Sequence, residues 1–214
     1  MSKSGNNFQK IKNLLPLFFL LIIFFNTCGQ ENEINEEVFF KKLIQAAIER
    51  TTKEIVYDPS YFRLDYPYGD IPENKGVCTD VLIRAYRKVG IDLQYEVHED
   101  MKKNFSHYPE IWGLDEPDPN IDHRRVPNLM TFFKRMDCEL PITDNPNDYK
   151  PGDIVAWDLG GGITHIGIVT NEKSEDKKRN KIVHNIGNGP KLEDILFTFK
   201  VIGHYRYKKG SFGK

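Results

Sequence analysis

A cysteine in ENKGVCTDVLIRAYRKVG (residues 73–90), a histidine opening THIGIVTN and another inside KIVHNIG are the residue types from which a thiol hydrolase is built. Cys78 stands at the head of an amphipathic run. A helix starting there would turn the positive end of its macrodipole toward the sulfur and lower the thiol pKa. The free N–H groups of that first turn would also hold a developing oxyanion. His165, at a strand start, could act as general base and acid, with His184 on the next strand to orient it. His165, Gly167 and Val169 share one strand face, as do Ile182, His184 and Ile186 on the following strand. Two imidazoles on otherwise apolar faces need polar partners, and antiparallel pairing would give them each other. On the residues alone, two other readings of Cys78 stay open: half of a disulfide with Cys138, or a small buried thiol.

The elements that must position these groups follow from periodicity. Phe40, Leu43, Ala47 and Ile48 keep helical spacing within residues 34–50, after Asn35 as N-cap. VYDPSYFRLDYPYGDIPENKG (56–76), rich in Tyr, Asp, Pro and Gly, reads as a long ordered loop. Cys78, Leu82, Ala85 and Val89 then fall on one helical stripe, with Gly90 as its stop. HEDMKKNFSHYPEIWGLDEPDPNIDHRRVPNLMTFFKRM (98–136) begins and ends helically around a Pro/Asp-rich loop. The last third changes to alternation: PGDIVAWDL, THIGIVTN, KIVHNIG and FKVIGHYRY predict an antiparallel meander, with LEDILF as an added turn or helix. The fold class expected is therefore α+β, with N-terminal helices packed on a small antiparallel sheet. His204, Trp157 and Tyr86 read as structural.

Lys3, Lys10 and Lys12 precede the apolar run LLPLFFLLIIFF (14–25), which is short for a membrane span. With NTCGQENE after it, this segment resembles a bacterial lipoprotein signal: 1–27 removed, Cys28 lipidated, 28–33 a polar tether and 34–210 a single domain. An ordinary cleaved signal with a stray thiol is the other reading. Either way the mature domain is expected to be exported to the cell envelope, and the first reading anchors it to a membrane by lipid.

The charge balance, 30 Lys+Arg against 31 Asp+Glu, gives no basic surface for nucleic acid. DPNIDH from Asp118 fails as a calcium loop, because His123 replaces the turn glycine and Leu129 the bidentate glutamate. His98, His107 and His123 lack zinc-site spacing. The glycines from Gly160 precede a strand rather than a Lys-Ser/Thr helix start, so they are no phosphate loop. No metal or cofactor is called for.

The order of Cys78 at a helix start, GDIVAW, HIGIV and IVHN resembles the NlpC-type branch of the papain-like cysteine peptidases, with Thr79 and Asp80 in place of that branch's Ser and Gly. The resemblance implies a papain-like fold, Cys78 as nucleophile, His165 as base and His184, or Asn185, as third residue. It further implies cutting of peptidoglycan stem peptides or another envelope amide by a peptidase or amidase. The fuller wording YDPSY, GVCTDVLIRAYRKVGIDLQ, NIDHRRVPNL, GGGITHIGIV and IVHNIG…GP resembles a bacterial family catalogued as domain of unknown function 1287. Asp80, Tyr57, Tyr61, Arg124, Arg125 and Asn185 are the residues expected to meet substrate. Tyr57 and Tyr61 would wall the cleft with Asp65 and Tyr66. Arg124 and Arg125 would hold stem carboxylates, or pair with Asp115, Asp118 or Asp122 instead. A non-catalytic envelope-binding module and a Cys-His acyltransferase are the alternatives on the same fold.

Overall fold

The computed structural model describes residues 35–210; the signal, Cys28 and the tether lie outside the described residues. Two units divide the chain at Phe39/Phe40. Of the first unit, residues 35–39 are described, and they are helical. Everything below concerns residues 40–210.

Helix α1 (35–50) continues from Phe40 to Arg50, with Phe40, Leu43, Ile44, Ala46 and Ala47 buried. The Arg206 guanidinium lies 3.6 Å from the Phe40 ring centroid and ties this helix to the C-terminal end of the domain. The Tyr/Asp/Pro-rich segment follows, and within it β1 (Val56–Tyr57) and β2 (Lys75–Gly76) form a two-strand parallel pair. Helix α2 (Cys78–Lys88) ends as expected, with Gly90 at φ +83°, a conformation glycine adopts without strain.

The single stripe expected on α2 understates its burial. Every residue from Cys78 to Tyr86 is buried, Thr79, Asp80 and Arg84 included. The helix is a central strut because Arg84 carries the preceding loop on its outer side. Arg84 Nε pairs with Asp70 at 2.9 Å, and its Nη atoms donate to the carbonyls of Ile71, Pro72, Glu73 and Lys75. Pro72 O also accepts from Lys75 N–H and Lys75 belongs to β2, so the guanidinium adds to sparse backbone pairing along residues 71–75.

Helix α3 (Leu93–Asn104) starts earlier than the sequence reading placed it. Gln94, fully buried on it, accepts from Gly69 N–H and donates to the Asp65 and Pro119 carbonyls, pinning two loops at once. The loop from Asp118 turns its oxygens on itself: Asp118 Oδ1 accepts from Asn120 and Asp122 Oδ2 from Asp118 N–H. A short 3-10 turn, Asp122–Arg124, leads into α4 (Val126–Arg135), with Pro127 in its first turn.

The sheet contains β3 (Ile154–Asp158), β4 (Thr164–Lys173), β5 (Asn180–His184), β6 (Lys191–Glu193) and β7 (Lys200–Tyr205). Their order is β6-β5-β4-β3-β7, antiparallel throughout. This differs from a simple meander in two ways. Leu192 and Glu193, the first residues of LEDILF expected as a turn or helix, instead join Lys191 in the edge strand β6 beside β5. The final strand crosses to the far edge and pairs with β3. His204 explains the crossing: its rings nitrogens meet Pro141 O and Asp153 Oδ2, each at 2.9 Å, within a fully buried carboxylate site that also takes Arg206. One sheet face carries a core of Tyr149, Val155, Trp157, Val169, Ile182 and Leu196. Tyr205, on the other face, stacks on Phe133 of α4. The fold is thus α+β, as expected.

Arg84→Ala removes one donor from Asp70 and from four loop carbonyls, of which Pro72 O keeps the Lys75 N–H. Urea unfolding is expected to show a loss of about 2–4 kcal/mol, with limited proteolysis newly cutting between residues 69 and 76.

Candidate active site

Helix α2 begins at Cys78 because Asp80, two residues on, closes its first turn from below. Val77 has no side-chain acceptor, so the cap is one-sided: Asp80 Oδ2 accepts from Val77 N–H at 2.7 Å. The same carboxylate meets Arg124 at 3.1 and 3.2 Å, and both side chains are under 5% exposed. Arg124 further donates to the Ser60 and Asp58 carbonyls. Asp80 and Arg124, expected at the substrate, are therefore bonded to the protein's own frame. They anchor the start of α2 to the loop and to the 3-10 turn, where Arg124 O accepts from Thr79 Oγ1 at 3.2 Å.

Cys78 and Cys138 are both free thiols. Cys138 donates to Met136 O, away from any cysteine partner. Of the three readings of Cys78, the disulfide is therefore the one the structure does not adopt. The Cys78 sulfur faces the N–H of Ile166 on β4, and the N–H groups of Thr79 and of Cys78 itself are directed at it. Burial nevertheless dominates, pushing the thiol up to about 12, and Asp80 adds to the rise. The expected lowering by the helix start is present but is the smaller effect. Tyr57, half-exposed on β1, feels Cys78 and Asp80: burial first, then these two groups, raise its hydroxyl pKa. It is the predicted contact residue whose hydroxyl lies within electrostatic range of the thiol.

Ile166 is the residue after His165, so the sulfur meets the backbone of the histidine strand, and no hydrogen bond joins it to the His165 ring. His165 is 2% exposed and its ring stacks on Trp157, 5.7 Å between centroids. Its Nε2 lies 3.1 Å from His184 Nδ1, and His184 Nε2 lies 3.0 Å from Glu193 Oε2. Two features make this line possible. Gly167 pairs directly with His184, and a Cβ there would come within 2.7 Å of Ile182 and 3.1 Å of His184 Cβ. Glycine thus lets β5 approach closely enough for the imidazoles to meet. The register of β6 then sets Glu193 across from Ile182, on the histidine face.

The line fixes the tautomers. An ionised Glu193 can only accept, so His184 Nε2 carries a proton and, in neutral His184, Nδ1 accepts. His165 Nε2 must then donate, which leaves the lone pair of its Nδ1 as the basic atom. His165 is held down to about 3 by burial first and by His184 second; burial likewise lowers His184, opposed by Glu193. Cys78 and His165 are thus both neutral at rest.

Asn185, offered as a substrate contact or as an alternative third residue, is fully buried and donates to Gly76 O while accepting from Gly187 N–H. His184 alone reaches His165. Tyr61 is exposed and bonded to Asp118, and Tyr66 to Glu99. Glu193 went unread in the sequence because LEDILF was taken as a turn or helix; alternation of Lys191, Leu192 and Glu193 was the available signal. Among the described residues no cluster of His, Cys, Asp or Glu could hold a metal ion.

A family model described as "Domain of unknown function (DUF1287)" matches residues 44–207. The uncharacterized protein YijF of Escherichia coli (strain K12) is 53% identical over 153 residues, which cover 72% of this chain and 74% of that one. No solved structure matches.

Two outcomes follow from these charges. In Glu193→Ala, at an exposed edge position, His184 loses the group that raises its pKa. Nitrogen-15 NMR of the imidazoles is expected to show a lower His184 pKa and loss of the single Nε2–H tautomer. Separately, His165 and His123 are both held near 3, against about 6.5 unfolded. Their stabilising contribution is full above that value and is lost as pH falls toward 3. Asp122, raised to about 6, works in the opposite sense between about 3.9 and 6. With two histidines against one carboxyl, thermal melting is expected at lower temperature at pH 4.5 than at pH 7.

Proposed function

The chain belongs to the DUF1287 family, and within it we propose that this protein is an exported cysteine hydrolase of papain-like, NlpC-type fold. Its proposed substrate is an amide of the cell envelope, with peptidoglycan stem peptides first. The observation that carries the reading is the buried line His165–His184–Glu193, running from the strand whose Ile166 N–H faces a thiol at a helix N-terminus.

The chemistry runs from a neutral pair. As a substrate carbonyl approaches Cys78, its thiol proton passes to His165 Nδ1 and the sulfur bonds to the carbonyl carbon. The negative oxygen of the tetrahedral intermediate is held by N–H groups at the start of α2. His165 returns the proton to the leaving amine, and the C–N bond breaks. Water, deprotonated by the same nitrogen, then releases the acyl group from sulfur. His184 keeps the ring oriented, and Glu193 holds His184 in the tautomer that accepts from His165. Transfer on demand rather than a standing thiolate–imidazolium pair fits a thiol pushed to about 12 and an imidazole held near 3. The sequence features at 1–28 support export and lipid anchoring, which would set the site facing the envelope.

A second reading draws on one observation: Cys78 is only 5% exposed. A non-catalytic module binding envelope peptide or glycan would not need its sulfur reached. An acyltransferase using the same pair differs only in the final acceptor.

Cys78→Ala and His165→Ala are each expected to abolish cleavage of purified muropeptides, read by mass spectrometry, while leaving the circular dichroism spectrum unchanged. Unchanged product from the Cys78 variant would remove the hydrolase. Product formed solely with an added amine acceptor would select the transferase.

A further inference from the structure

A cleft lies away from the Cys78–His165 line, where the C-terminal turns of α1 and α2 meet the loop around Asp70 and Ile71. It encloses about 410 Å³, within the roughly 300–1,000 Å³ of small-molecule sites. Ala46 and Ile71 give it an apolar wall. Its charge is lopsided: Arg50, Lys53, Arg84, Arg87 and Lys88 line it against the carboxylates of Glu49, Asp70 and Glu73, an excess of two positive charges. Arg84 and Arg87 are already engaged. Both meet Asp70 Oδ2, at 2.9 and 3.5 Å, and their remaining donors go to loop carbonyls and Asp92. Lys53, Lys88, Glu49 and Glu73 are exposed.

Arg50 is the group without employment. Its guanidinium makes no hydrogen bond or ion pair among the described residues. Nη2 is enclosed, whereas Nε and Nη1 keep accessible surface, so a ligand can reach the guanidinium although Nη2 is shut in. A basic side chain at a helix C-terminus ordinarily serves the last carbonyls. Here threonines do so: Thr51 N–H and Oγ1 both donate to Ile48 O, and Thr52 N–H and Oγ1 to Glu49 O. Burial first, and Arg84 second, lower the Arg50 pKa, so a like charge stands beside it while no carboxylate pairs with it. Buried donors are almost always satisfied, and an unpaired buried charge is costly. An open guanidinium in a cleft of positive excess fits an anion.

We propose that this cleft binds the dianionic phosphate group of a phosphate ester. The phosphate oxygens accept from the accessible N–H groups of Arg50 as charge-assisted hydrogen bonds, and Lys53 and Lys88 add point charges from the α1 and α2 sides. A dianion matches the excess of two positive charges, where a carboxylate would leave one over. Most of the 410 Å³ then remains for the esterified group, which rests against Ala46 and Ile71 with Glu49 and Glu73 as acceptors for its hydroxyls. A soluble phosphate ester and a lipid headgroup present the same chemistry here. The site is independent of the hydrolase reading: Lys88 ends α2 about 15 Å along the helix axis from Cys78.

The test is an NMR titration of the folded protein at constant ionic strength with inorganic phosphate, glycerol 3-phosphate and acetate, following the Arg50 Nε–H signal. Both phosphates are expected to shift it saturably, and acetate to bind at least about ten-fold more weakly. Arg50→Gln, read by broadening of the phosphorus-31 resonance, should weaken phosphate binding at least about ten-fold and cancel the rise in melting temperature that phosphate gives the parent protein. Lys53→Gln, an exposed change, should weaken binding about two- to five-fold, and Glu73→Gln should tighten it. Should Arg50→Gln fail to fold, the opposite signs of these two variants decide. Arg50-dependent sedimentation with phosphatidylcholine vesicles carrying phosphatidic acid, in preference to glycerol 3-phosphate, assigns a lipid headgroup; the reverse preference assigns a soluble ester. Absence of a saturable shift with either phosphate would overturn the proposal, and so would equal binding of acetate or unchanged phosphate affinity in the Arg50 and Lys53 variants.

Discussion

The buried ion pair between Asp80 and Arg124 is the constraint on which the rest of the site depends. Two charges under 5% exposed are stable only when every lone pair and proton has a partner. Here each does double duty. Asp80 caps the first turn of α2, and Arg124 gathers the carbonyls of Asp58 and Ser60. Thr79 closes the ring by bonding Arg124 O. The start of α2, the loop bearing Tyr57 and the turn bearing Asp122 are therefore one rigid junction, and Cys78 stands at its centre. Whether such a pair adds net stability matters less than that removing either partner strands the other in a dry interior.

The sheet supplies the other half by register alone. Antiparallel pairing sets Gly167 against His184 and Trp157 against His165. A glycine at the first place allows close approach, and an indole at the second gives the imidazole a flat support. The edge strand β6 then brings Glu193 to the outer nitrogen of His184. Three side chains from three strands form a line whose proton positions are dictated by the one group that cannot donate. The same burial that aligns these groups keeps them uncharged. A helix dipole acts within its first turn at partial charge, whereas desolvation of an enclosed thiol acts on the whole charge, so desolvation decides the resting state.

The arginines show how side chains took over where the backbone had no periodic partner. Arg84 and Arg124 organise residues 58–76, a stretch with just two pairs of strand residues to hold it. Long functional loops need such staples, because each unpaired buried carbonyl would otherwise lose its water without replacement. Arg124 and Arg125 are adjacent in sequence yet opposite in role. One points inward to Asp80; the other lies on Trp112 and pairs with Asp122 at 3.6 Å.

Residue pattern by itself determined the helices around residues 40–50 and 78–88, the alternating strands, the Gly90 stop and the α+β class. These rest on local periodicity, which the chain expresses without knowing its tertiary neighbours. It also marked Cys78, His165 and His184 by order and element type. Only the tertiary structure decided that His184 rather than Asn185 meets His165, since one residue of register turns a side chain to the other face of a strand. Only packing showed that Asp80 and Arg124 serve the frame, that Glu193 completes the histidine line, and that β7 crosses to β3. Each of those depends on partners between nine and sixty-six residues apart in the chain, beyond the reach of any local pattern. The state of the Cys78 thiol was the furthest from the sequence, because desolvation is a property of everything that surrounds an atom.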